Sequence, residues 1–147
     1  MTKFSQMDFI QKHIALYRRD PEKAHMWDSS PGGGPGVLPT LLLTTTGRKS
    51  GEPRTQPLAC FPEGEDWIVV ASNNGQDKHP AWFLNLQAKP EARMQIGRID
   101  RAVQAHVAEG EERDRLWPWL KERNPAYAGY ERKTERRIPV VVLRPLA

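Results

Sequence analysis

Apolar positions in residues 4–18 return at three- and four-residue steps: Phe4, Met7, Ile10, Ile14 and Tyr17. That spacing predicts a short amphipathic helix, and Asp20-Pro21 ends it, because the residue before proline avoids helical angles. The stretch 29–36 is Ser-Ser-Pro-Gly-Gly-Gly-Pro-Gly, which has no packing signal and predicts a flexible loop. The expected division is residues 1–36, helix and loop, followed by a main domain over residues 37–147.

The main domain reads mostly as strands. Val37–Thr46 is apolar and rich in β-formers, and Gly47-Arg48-Lys49-Ser50-Gly51 turns it into a second strand over 54–61. A third strand spans 66–72. Asn73 to His79 is a polar loop, Pro80 suits the first position of a helix, and Pro90 stops that helix. Met94 and Ile96, then Val103, Ala105 and Val107, alternate with polar residues and predict two more strands. Residues 110–123 read as a helix with Glu111 and Glu112 at its positive end, Leu116, Trp119, Leu120 and Arg123 on one face, and a kink at Pro118. Residues 138–143 are the last strand. About six antiparallel strands with inserted helices and an N-terminal helix predict a small α+β barrel.

Composition narrows the function classes. The chain of 147 residues has one cysteine and a net charge of +4. It has no intramolecular disulfide framework and no cysteine-based metal cage. No signal-peptide pattern opens the chain and no apolar run is long enough to span a membrane, so the expected setting is the cytoplasm. No stripe of basic residues interleaved with aromatics points to nucleic acid. The four histidines lack metal-ligand spacing, so no metal is expected.

Three clusters carry candidate chemistry. Arg48, Lys49 and Arg54 flank turn glycines; the loop is either an anion nest or a solvated hairpin tip. Ser72-Asn73-Asn74-Gly75 with Lys78-His79-Pro80 runs from a strand end into a helix start, which is either a site for an anionic or carbonyl-bearing ligand or a plain crossover. Tyr127 and Tyr130 lie three apart, and either close the barrel end or present phenols to a ligand. Cys60 on its apolar strand reads as a packed side chain, and Glu111, Glu112, Glu131 and Glu135 as solvated.

The segments LLLTTTGRKSGEPRTQPL, WIVVASNNGQDKHPAWFLNL and NPAYAGYERKTERRIPVVVL together resemble the deazaflavin (coenzyme F420)-dependent nitroreductase family. The resemblance implies a split β-barrel of the FMN-binding-like kind. It also implies an oxidoreductase that passes hydride from F420H2 to an electron-poor acceptor: a quinone, nitroaromatic or activated enone. By the same resemblance Lys49 and Arg54 hold the phosphate and polyglutamate tail, with Arg48 and Ser50 assisting. Pro57 and Leu58 lie along the ring, Ala71, Ser72 and Asn73 reach its edge, and Ala81 and Trp82 wall it. Lys78 takes over part of a basic role that Asn73 leaves open. Ser72, Tyr127 and Tyr130 are the implied catalytic residues. The rival readings are an FMN-binding flavin reductase and a non-enzymatic deazaflavin carrier. The expected assembly is a monomer or homodimer. The N-terminal helix either closes the cofactor cleft or makes a weak contact with the inner membrane surface.

Overall fold

The computed structural model describes residues 2–28 and 37–146. The 29–36 stretch, expected as a flexible loop, lies outside the described residues, as do the side chains of Phe4 and Met7. The helices are α1 (Thr2–Arg19), α2 (Pro21–His25), α3 (Ala81–Ala88), α4 (Gly110–Arg123) and α5 (Ala126–Lys133). The strands are β1 (Met26–Asp28), β2 (Val37–Thr46), β3 (Pro53–Ala59), β4 (Phe61–Glu63), β5 (Asp66–Val70), β6 (Glu91–Ile96), β7 (Ile99–Val107) and β8 (Val140–Pro145).

The strands form one sheet in the order β1-β2-β6-β7-β8-β5-β4, with β3 on the other edge of β2. All pairings are antiparallel. The expected second strand over 54–61 is the pair β3–β4, bent at Cys60, whose N–H donates to the Pro39 carbonyl at 2.9 Å. β3 pairs with β2 and β4 pairs with β5, so this one bent stretch joins the two ends of the sheet and curls it into a split barrel. Counted so, the barrel has the six expected strands. β1 is an addition: the segment before residue 37 contributes a strand, with Trp27 opposite Leu38.

Several strands are apolar on both faces because both faces are covered. On β2, Leu41 and Leu43 point into the barrel with Val69, Phe83, Met94, Val103, Val141 and Leu143. Leu42 between them points outward, to Tyr17 and Ala24 of the N-terminal helices. On β5 and β8, Val69 and Val141 point in, whereas Ile68, Val70, Val140 and Val142 pack on Leu116, Trp117, Leu120 and Tyr127 of α4 and α5. Burying a side chain of this size contributes roughly 1.5–3 kcal/mol.

The details differ from expectation at several places. The last strand runs Val140–Pro145 where 138–143 was expected, and Glu112, read as solvated, lies 3.0 Å from His106 Nε2. The third strand stops at Val70, two residues early, because the chain turns at Ser72. Pro80 caps α3 with extended angles and the first helical residue is Ala81. The buried face of α4 is Arg113, Leu116, Trp117 and Leu120, and Trp119 is only half-buried. Glu131 is not merely solvated: its carboxylate accepts from Trp117 Nε1 and from Lys121 Nζ, tying α5 to α4.

Candidate functional site

The β2–β3 hairpin is built for exposure of charge on a fixed backbone. Gly47 N–H donates to the Glu52 carbonyl and Gly51 N–H to the Gly47 carbonyl, each at 2.8 Å. Gly51 turns with φ +74°, where a side chain is disfavoured. Ser50 Oγ accepts from Glu52 N at 3.1 Å and from Arg54 Nη2 at 3.3 Å, which aims the Arg54 guanidinium along the loop.

The loop is fastened from beneath by Asn85 of α3, which is 3% exposed. Its Oδ1 accepts from the Arg48 backbone N–H at 3.1 Å and from Arg48 Nη1 at 3.2 Å. Its Nδ2 donates to Thr45 Oγ1 at 3.1 Å. The amide therefore meets its own hydrogen-bonding needs through the turn it holds.

Between this hairpin, α1 and α3 lies a cleft of ≈ 750 Å³. Arg48, Lys49, Ser50 and Arg54 line it from the hairpin, Ala81 and Trp82 from α3, and Gln11, Ile14 and Arg18 from α1. Among the described residues, the lining holds the cations Arg18, Arg48, Lys49 and Arg54 and no carboxylate. Such a cleft suits an elongated ligand with several negative charges and one flat apolar part against Trp82. That composition fits the coenzyme implied by the family resemblance.

Six of the sequence-designated residues thus share one cleft. The others lie around it or apart. Pro57 and Leu58 continue β3 beyond Gln56, opposite Leu42 and Leu41. Pro57 is tolerated because β3 is an edge strand, where a missing N–H breaks no ladder. Ala71 is fully buried behind the loop and Lys78 is exposed. Ser72 is half-buried and opens a 3-10 turn over Asn73–Gly75 in which Asn73, Asn74 and Gly75 have φ of 46°, 56° and 77°. Asn73 Nδ2 donates to the Lys78 carbonyl at 2.9 Å.

The two tyrosines separate. Tyr127 is 4% exposed and does not open on the cleft; its ring stacks on Trp117 with centroids 6.1 Å apart. Burial pushes its phenol well above the usual range, with Asn124 as a hydrogen-bonding neighbour. Tyr130 is half-buried, and its backbone lies against Gly75, where an added Cβ would meet the Tyr130 Cα at 3.0 Å. Cys60 is fully buried and its thiol is pushed far up by burial, so it is a packed side chain. No group of His, Cys, Asp and Glu among the described residues is arranged to hold a metal ion.

Sequence reasoning passed over Asn85, Arg18 and Gln11. Asn85 had a signal: an isolated amide inside Trp82-Phe83-Leu84-Asn85-Leu86 must bond something when buried. Arg18 and Gln11 had none, since only the docking of α1 brings them to the hairpin.

The family model for F420H(2)-dependent quinone reductase matches residues 14–145. A Mycobacterium tuberculosis protein, the F420H(2)-dependent quinone reductase Rv1261c, is 39% identical over 112 residues, covering 74% of this chain and 75% of its own. A solved F420-H2 dependent reductase aligns with TM-score 0.66 and 40% identity over 71% of this chain and 93% of that one. A structure described as a domain-swapped dimer aligns with TM-score 0.70 and 34% identity over 97% of this chain and 98% of that one.

Proposed function

This chain belongs to the F420H(2)-dependent quinone reductase family, and we propose that the cleft between the hairpin, α1 and α3 is where it holds coenzyme F420. The protein is an F420H2-dependent oxidoreductase. When bound, the reduced coenzyme supplies hydride to the acceptor. The chain's own residues bind, orient and polarise. Lys49 and Arg54 hold the phosphate and the carboxylates of the tail, assisted by Arg48 and Ser50, and Arg18 adds a cation from α1. Ala81 and Trp82 wall the ring, Pro57 and Leu58 lie along it, and Ala71, Ser72, Asn73 and Lys78 stand at its edge.

The acceptor is of quinone type, taken up on the side of Ser72 and Tyr130. Their hydroxyls donate to an acceptor oxygen on which negative charge develops. Tyr127 stands behind Tyr130, ring centroids 6.4 Å apart, and keeps it in place. Nitroaromatics and activated enones offer the same electron-poor carbon and a polar oxygen, and they extend the acceptor range. α1 serves the cleft instead of a membrane: its Tyr17 is fully buried and Ile14 lines the site. No described helix is long and apolar enough to cross a membrane. The domain-swapped neighbour supports a homodimer, which light scattering on a sizing column measures.

The observation that carries this reading is the cleft whose described lining holds four cations and no carboxylate. Each charge-assisted contact is worth about 1.5–3 kcal/mol. The double substitution Lys49→Ala and Arg54→Ala should therefore weaken F420 binding at least about tenfold in a fluorescence titration. Both side chains are exposed, so the melting temperature should hardly change. Equal affinity of wild type and double variant would sink the assignment, and turnover with a panel of quinones would then have to be explained by another cleft.

A further inference from the structure

Arg136 precedes the last strand in the stretch Arg136-Arg137-Ile138-Pro139, and nothing in the proposed reaction uses it. Its guanidinium lies within hydrogen-bonding distance of four acceptors on the loop over 71–79. Nε donates to the Gln76 carbonyl at 2.7 Å. Nη2 donates to the carbonyls of Ser72 at 2.8 Å and Ala71 at 3.2 Å, and Nη1 to that of Ala71 at 3.2 Å. Nη1 also lies 3.1 Å from His79 Nδ1. A guanidinium only donates, so Nδ1 of His79 is the acceptor and that ring is neutral. The fan reaches both ends of the loop over 71–79.

That loop needs holding. Asn73, Asn74 and Gly75 follow one another in the left-handed region; asparagine visits it as a single residue, but a run of three is uncommon and carries a backbone cost that the surroundings must offset. Two neighbours of Arg136 grip the same loop: Lys133 Nζ donates to the Asn74 carbonyl at 3.2 Å and Thr134 Oγ1 to Asp77 Oδ1 at 2.7 Å. The loop carries Ser72 at one end. At the other it leads through His79 and Pro80 into Ala81 and Trp82, which line the cleft.

We infer that Arg136 is a positioning residue: it locks the loop over 71–79 in its left-handed form and so sets Ser72 and the first turn of α3 against the bound coenzyme and acceptor. The inference rests on the functional reading above. The groups facing His79 are the Arg136 guanidinium and the Phe83 ring, whose centroid is 4.8 Å away, with Asp77 and Lys78 preceding it in the chain. Burial, and then the Arg136 charge, lower its pKa below the ordinary 6.5. The His79 ring is therefore a reporter of the clamp that does not depend on turnover.

The test compares wild type with Arg136→Met and Arg136→Lys. In Arg136→Met, the NMR titration of the His79 ring should move up in pH. Turnover with a quinone should fall at least tenfold in kcat, while F420 affinity by fluorescence stays within about threefold, a change of about 0.65 kcal/mol. Arg136→Lys keeps the charge but loses the planar fork, so it should recover less than half of the lost kcat. Should Arg136→Met fail to fold, Arg136→Lys against wild type carries the same comparison. An unchanged His79 titration, or an unchanged kcat, or full rescue by lysine overturns the inference. A wild type that does not bind F420 overturns the functional reading instead, and the His79 titration then decides the clamp by itself.

Discussion

Asn85 shows how one buried amide can hold a hairpin loop in place. It replaces water for the Arg48 N–H and the Thr45 hydroxyl at once. Asn85→Leu matches its size roughly and removes the partner of both the part-buried Arg48 N–H and the buried Thr45 hydroxyl, at about 0.5–1.5 kcal/mol per bond, or about 1–3 kcal/mol together. The urea midpoint should shift down by that amount divided by the slope of the denaturant dependence, and F420 affinity should fall as Arg48 loses its seat. An unchanged midpoint would mean that the hairpin is held elsewhere. Tyr130 works at the same scale with the opposite signature. Tyr130→Phe removes one hydroxyl on the proposed acceptor side and no packing, so quinone turnover should drop while F420 affinity stays within about twofold, or ~0.4 kcal/mol. Collapse of cofactor binding in that variant would place Tyr130 on the coenzyme side.

Among the elements, α1 is tied to the sheet through Tyr17. Tyr17 Oη donates to the Thr40 carbonyl at 2.8 Å and accepts from the Gly97 N–H at 2.8 Å, so it joins the helix to β2 and to the β6–β7 turn. Burial raises its pKa to about 12, so the phenol stays a donor across the physiological range. In Tyr17→Phe the Thr40 carbonyl keeps His25 Nδ1 at 2.9 Å, whereas the Gly97 N–H loses this partner. The expected cost is about 1–3 kcal/mol. Amide exchange should quicken along α1, and F420 should bind more weakly because Arg18 and Ile14 leave the cleft. Unaltered exchange in α1 would show that Leu42 packing alone docks it. This element also marks how far the sequence could be read. The helical stripe was plain from Ile10, Ile14 and Tyr17, and the hairpin from its glycines. β1 was not, because Met26-Trp27-Asp28 is too short to show alternation and becomes a strand only beside β2. The bend at Cys60 was hidden too, since an apolar run looks the same whether it pairs with one strand or two.

For the whole molecule, pH is the global lever. His13 is 2% exposed, hydrogen-bonded to the Ala24 carbonyl at 3.1 Å, and burial lowers its pKa. His79 is lowered by burial and by Arg136. In both, the unfolded chain takes up a proton at higher pH than the folded one. Stability from these two groups is thus fully present above their ordinary value of 6.5 and is lost as pH falls through the lowered folded values. The melting temperature should be flat in this respect above about pH 7 and decline towards about pH 5. The double variant His13→Gln, His79→Gln should flatten that decline, and an equal slope in both proteins would exclude these rings as its source.

The free edge of β3 has a bearing on how the molecule behaves in a crowd. A proline cannot donate, so the pairs Leu42 with Pro57 and Thr46 with Pro53 are the non-bonded ones of the ladder. By the alternation of the strand, the nitrogens of Pro53, Thr55, Pro57 and Ala59 face away from β2, and at two of those four places there is no hydrogen to offer. A strand from another copy would find carbonyls there but only a gapped row of donors, a poor template for edge-to-edge growth. The residue that borders the proposed ring site is in this way also a guard against self-association. Pro57→Thr would restore the missing donor, and its first symptom should be turbidity on concentration, before any change in the fold.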